Sequence, residues 1–65
     1  MEFEVRDMRC GRCAVRVAKA LKDVDASAYL VLDVSQKRVS VASVAAPEVL
    51  LHAISEAGYT PIFAA

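Results

Sequence analysis

Cys10 and Cys13 stand two residues apart in the stretch DMRCGRC, positions 7 to 13, and are the chain's only cysteines. Such a pair serves one of three chemistries: a redox dithiol, half of a zinc site, or a clasp for a soft metal ion. A bridge between them would close a very small loop and add little stability, so a disulfide scaffold is excluded. Haem attachment needs a histidine directly after the second cysteine, where this chain has Ala14. Redox chemistry of the thioredoxin type needs a longer fold. Zinc takes four ligands, usually completed by a second cysteine pair or by histidines. Here there is no second pair, and the one histidine, His52, lies far along the chain. Two sulfurs from one short loop suit an ion that tolerates two soft ligands, chiefly Cu(I), then Hg(II) or Ag(I). Met8 offers a third sulfur, but a lone methionine before a helix more often fills a gap in the core. No acid, base or nucleophile constellation accompanies the cysteines, so the chain is not expected to be an enzyme.

The elements that must position this pair are legible from periodicity. Residues 2 to 6, EFEVR, alternate polar and apolar with Phe3 and Val5 on one face, which predicts a half-buried strand. DMRCGRC follows as a loop in which Gly11 alone lacks a side chain. From about Arg12 the pattern turns helical, with Ala14, Val17, Leu21 and Val24 as the buried stripe and Ala20 beside it. Residues 25 to 27 break the helix, and 28 to 43 read as a β-hairpin with SQKR at its turn and Leu30, Leu32 and Val34 on one face. Tyr29 and Val31 then fall on the face away from the helices. A second helix follows, with Pro47 and Glu48 in its first turn, Leu50, Ala53, Ile54 and Ala57 buried, and Gly58 as its stop. His52 falls on its polar side as a solvated residue. YTPIFAA closes with a short strand that Pro61 confines to an edge. The order β-α-β-β-α-β predicts an α+β, ferredoxin-like sandwich, two helices on one face of a four-stranded antiparallel sheet.

In that arrangement Cys10 lies in the loop and Cys13 in the first turn of the first helix. The free N–H groups and positive dipole end of the helix favour thiolates there, as do Arg9 and Arg12. Two adjacent thiolates repel each other, so the fully ionised pair needs a cation between them.

The 65 residues make one small domain, whose 57% apolar content supplies the core that so short a chain requires. No run approaches the roughly 18 apolar residues of a membrane span. The N-terminus lacks the apolar stretch of a signal peptide, so a cytoplasmic protein without direct membrane insertion is expected. A net charge of zero argues against nucleic-acid binding driven by bulk charge. Charge is nevertheless uneven: residues 1 to 22 hold six Arg or Lys against three acids, while residues 23 to 65 hold two against five. The basic excess surrounds the cysteines. Arg9, Arg12, Arg16 and Lys19 are either an ordinary solvated face or a docking patch for an acidic partner.

Beyond the cysteines, the sequence carries Met8-Arg9-Cys10-Gly11-Arg12-Cys13, the spacing of Val17, Ala20, Leu21 and Val24, the hairpin LDVSQKRVSV, Ala53-Ile54, and AGY at 57 to 59. In these features, over nearly its whole length, it resembles the heavy-metal-associated domain family. That family includes small bacterial copper chaperones, the N-terminal metal-binding domains of P-type heavy-metal ATPases, and bacterial mercury-binding proteins. The resemblance implies one such domain over residues 1–65 with Cys10 and Cys13 as metal ligands. It implies that Met8 is an apolar residue tucked under the loop. It also implies that Tyr59 lies close to the metal loop, where it shapes access to the metal; the plainer alternative is that Tyr59 packs beside Gly58. Two residues depart from the family pattern. Asp7 replaces the usual glycine, and Arg9 stands where zinc and cadmium transporters often place an aspartate, which shifts the expectation towards a monovalent ion.

A metallochaperone-like protein is therefore expected, binding Cu(I) through Cys10 and Cys13 and passing it on by thiolate exchange. Zn(II), Cd(II), Hg(II) and Ag(I) are the alternative cargoes. The implied partner is a metal-transporting P-type ATPase or another metal-binding domain, with a metal-bridged homodimer as the alternative to a monomer. The rival readings are a metal-binding domain of a transporting ATPase, a Zn, Cd or Hg carrier of the same fold, and a dithiol oxidoreductase.

Overall fold

A computed structural model describes all 65 residues. The elements are β1 (Glu2–Val5), α1 (Gly11–Val24), β2 (Tyr29–Asp33), β3 (Arg38–Ala42), α2 (Pro47–Glu56) and β4 (Pro61–Phe63). The strands form one antiparallel sheet in the order β2-β3-β1-β4, so the chain's two ends supply neighbouring strands and the hairpin lies to one side. Both helices cover one face. Their buried residues, Val17 and Leu21 of α1 with Leu50 and Ile54 of α2, meet Phe3, Val5, Val39 and Val41 from the sheet in a single core that also takes in Met8 and Ala28. This is the ferredoxin-like sandwich, and no helix in it is long and apolar enough to cross a membrane.

Pro61 occupies its edge without loss to the sheet. Glu2 turns its amide and carbonyl towards the last strand, bonding Ala65 and Ala64 at 2.7 and 2.8 Å. Antiparallel alternation then makes Glu4 and Ile62 the bonded pair and leaves Pro61, opposite Val5, facing outward, where no N–H is needed. Beside it Phe63 meets Phe3 edge-to-face, with ring centroids 5.6 Å apart.

Four features differ from the sequence reading. α1 begins at Gly11 rather than Arg12, because Cys10 itself serves as the N-cap. Val24, placed in the buried stripe, is 39% exposed; it lies at the end of α1, in the open groove between the helices. Val34 lies beyond the end of β2, which stops at Asp33. The hairpin loop is Val34 to Lys37, with Arg38 already in β3. That loop is held by Asp33, whose Oδ1 accepts from the Ser35 hydroxyl and the Gln36 amide, and it ends in the left-handed conformation at Lys37 (φ 57°).

Candidate metal centre

The turn after β1 is closed by the Met8 amide donating to the Val5 carbonyl, and it drops the Met8 side chain into the core, fully buried. The chain then rises through exposed Arg9 to Cys10, whose extended backbone (φ −151°, ψ 167°) starts α1. Cys10 fills a position usually held by Ser, Thr, Asp or Asn. Its Sγ accepts from the Cys13 amide at 3.4 Å, a sulfur standing in for the usual oxygen cap. Cys13, one turn on, is half-buried against the core, while Cys10 is exposed.

The two sulfurs lie 2.9 Å apart, sharing a hydrogen bond. That bond is the main reason the Cys13 thiol is lowered from 9.0 to about 7, with the Tyr59 hydroxyl next and the Arg9 backbone after it. Conversely the Cys13 sulfur pushes the Tyr59 phenol up, burial adds to this, and Arg16 opposes the shift. At near-neutral pH the Cys13 thiol is therefore partly ionised.

Tyr59 owes its place to how α2 ends. The Gly58 amide donates to Ser55 O and the Tyr59 amide to Ile54 O, a Schellman motif with Gly58 at φ 98°. The motif turns the Tyr59 ring back onto the core side of the helix end, where it is partly buried. The neighbouring amide, Thr60 N–H, donates to Asp7 Oδ1 at 3.1 Å. Asp7 therefore latches the cysteine loop to the loop carrying Tyr59. No sequence signal reveals this tie, because its partner is a backbone amide 53 positions away.

No third histidine, cysteine, aspartate or glutamate joins the two cysteines in a cluster able to hold a metal. His52 is remote from them, exposed on α2 and paired with Glu56 at 3.5 Å. The surroundings are basic: α1 has no acidic residue in its first turn, and Arg9, Arg12 and Arg16 have no carboxylate partner. Lys19 is paired with Asp23 at 3.7 Å. Positive side chains at the positive end of a helix do not stabilise it, so this end carries an excess potential that an anionic group would relieve. A two-sulfur clasp under such a potential suits a soft cation whose bis-thiolate complex is itself negative.

This arrangement, a paired-cysteine loop between the first strand and helix of a βαββαβ sandwich, is that of a small metal-binding domain. The chain belongs to the heavy-metal-associated domain family, whose model matches residues 2–60. No curated protein sequence matches it. Among solved structures it is similar to the copper chaperone Atx1 from Synechocystis PCC6803, in a trimeric form of a histidine-to-tyrosine mutant, at 34% identity over 95% of this chain and 98% of that one, TM-score 0.93. A gold binding protein shares 34% identity over 94% of each chain, TM-score 0.91. The solution structure of the cyanobacterial copper metallochaperone ScAtx1 shares 32% over 95% of this chain and 97% of that one, TM-score 0.79.

Proposed function

We propose that this protein is a cytoplasmic metallochaperone that binds one Cu(I) through Cys10 and Cys13 and hands it to a partner by ligand exchange. The observation that carries this reading is a pair of sulfurs at the N-terminus of α1, with no third cysteine, histidine or carboxylate gathered beside them. The similarity to copper chaperones and to a gold binding protein, which name two soft ions, supports the choice of cargo. Ag(I) and Hg(II) share that chemistry, whereas Zn(II) and Cd(II) favour four ligands and would need donors from elsewhere.

Loading requires the sulfurs to part. With metal–sulfur bonds of about 2.3 Å, a linear complex would set them about 4.6 Å apart, wider than the 2.9 Å between the Cys10 and Cys13 sulfurs. The exposed Cys10 side chain is free to swing out and give that separation, while half-buried Cys13 stays anchored. In transfer, a partner thiol loses its proton as its sulfur joins the ion, giving a three-sulfur intermediate. Cys10 then leaves and is reprotonated; a second partner thiol gives up its proton and joins the ion before Cys13 leaves in the same way, so the ion is never released to water and keeps its oxidation state. Arg9 and Arg12 balance the negative bis-thiolate, Tyr59 screens the Cys13 side, and Arg12, Arg16 and Lys19 form a basic surface for an acidic partner. That partner is a metal-transporting P-type ATPase or another metal-binding domain, and copper shared among four thiolates would give a metal-bridged homodimer.

Anaerobic titration with Cu(I) against a competing chelator is the test. Wild type should take up one equivalent, and Cys10→Ser/Cys13→Ser should lose that uptake. Equal binding by the two proteins would overturn the proposal, and a relative preference for Zn(II) would replace the cargo with a divalent ion.

A further inference from the structure

The β2 edge of the sheet is open, and the pattern of backbone bonds shows which groups it offers. Val41 bonds Met1 in both directions, its amide to the Met1 carbonyl at 2.7 Å and its carbonyl to the terminal amine at 2.9 Å, so its backbone faces β1. Antiparallel alternation turns Ser40 and Ala42 the other way, towards their partners Val31 and Tyr29 in β2. Leu30 and Leu32 are left with their N–H and C=O groups pointing outward. None of the bonds outside the regular elements reaches these four groups.

The opposite edge is guarded and this one is not. β4 is three residues long and turns Pro61 outward, whereas β2 spans five residues with no proline, lysine or glycine. Its single charge, Asp33, stands at its end. On the outer face of the sheet Tyr29 is 71% and Val31 51% exposed, and on the helix face Leu30 and Leu32 remain half-buried at the rim. An edge of this kind is a template for another strand.

We propose that β2 pairs antiparallel with β2 of a second copy of this chain, about a two-fold axis through Val31, to make one eight-stranded sheet. The free groups fix this register. Leu30 exchanges two backbone bonds with the partner's Leu32, Leu32 does the same with the partner's Leu30, and Val31 meets the partner's Val31 as the close pair on the axis. Sliding the register in either direction leaves some of these groups unpaired. The side chains agree with the axis: leucine meets leucine on the helix face and valine meets valine on the outer face. Asp33 falls opposite the partner's uncharged Tyr29, so no like charges oppose. Self-complementarity of this kind is what a two-fold interface demands of a single surface, and it favours a second copy over an unrelated strand.

The pairing leaves the clasps untouched. The cysteine loop follows the end of β1 that lies beside the hairpin turn, where the Val5 amide donates to the Lys37 carbonyl. Antiparallel pairing of β2 therefore places the two clasps at opposite ends of the shared sheet, and the dimer needs neither metal nor cysteine. One strand pair buries less than the roughly 1,200 Å² of a stable interface, so the dimer forms only at high concentration.

Sedimentation equilibrium of the reduced, metal-free protein with a chelator present, from about 20 μM to about 2 mM, tests this in the range expected of so small an interface. The average mass should rise towards twice that of the monomer, and exchange of the Leu30 and Leu32 amides should slow with concentration. Cys10→Ser/Cys13→Ser and the β-branched Val31→Thr should behave like wild type. Val31→Lys, which sets two ammonium groups against each other on the axis, should remain monomeric throughout while keeping a folded amide spectrum. The proposal is overturned if wild type stays monomeric, if folded Val31→Lys still dimerises, or if the cysteine variant abolishes the dimer.

Discussion

A methionine two positions before a thiolate pair is chemically ambiguous, because a thioether is also a soft donor. Burial separates the two uses: Met8 has no exposed surface and belongs to the same core as Phe3, Leu21 and Ile54. Met8→Leu should therefore keep Cu(I) affinity within about threefold and cost under about 1.5 kcal/mol, as volume-conserving swaps do. Met8→Ala should cost about 2–4 kcal/mol of stability. Denaturant melts beside the chelator competition check both, and a loss of affinity above tenfold in Met8→Leu would make the sulfur a ligand. At this scale the sequence is an uneven guide. The spacing of Cys10 and Cys13 announces its chemistry, but Asp7 looks like a stray oxygen donor until its carboxylate is found on the Thr60 amide.

The elements were legible wherever a repeating pattern meets one continuous surface. Phe3 and Val5, Val17 and Leu21, and Leu50 and Ile54 all fell on the buried faces that their spacing predicts. Prediction weakened where geometry depends on something outside the repeat. Val24 fits the stripe of α1, yet the end of the helix runs past its cover. Lys37 carries no turn signature, because lysine rarely adopts a positive φ. The start of α1 is obscured because cysteine is not among the usual caps. Gly58 is the opposite case, a stop signal whose physical role extends to the placement of Tyr59. A Cβ there would meet nothing within 4 Å, so Gly58→Ala suffers only the left-handed backbone penalty, about 1–2 kcal/mol. It should lower the unfolding free energy by that amount and weaken the NMR contacts between the Tyr59 ring and Ile54. An unchanged Tyr59 would separate its placement from the Schellman turn.

At the scale of the whole molecule, the end of α1 and the approach to α2 are joined by Asp25. Its Oδ2 accepts from the Ser43 hydroxyl at 2.6 Å and its Oδ1 from the Ser27 amide at 3.0 Å, while Ser43 Oγ accepts from the Ala45 amide. The Ser43 bond first, then the Ser27 amide, holds the carboxyl below its ordinary 3.8. A lowered folded value means the contribution is complete well above pH 3.8 and disappears as pH falls through that lower value. Ser43→Ala should therefore melt below wild type at pH 7, with the gap closing as the solution is acidified below Asp25's folded pKa. A gap independent of pH would assign the loss to the serine's other bond. With ten buried side chains in all, one of them Met8, the molecule has no separate scaffold behind its clasp. Opening the core slackens the loop, and a ligand gripped by the loop holds the core closed, by mass action on the folded state. Occupancy and survival in a proteolytic environment would thereby be linked: a chain holding a metal ion should resist degradation longer than one without.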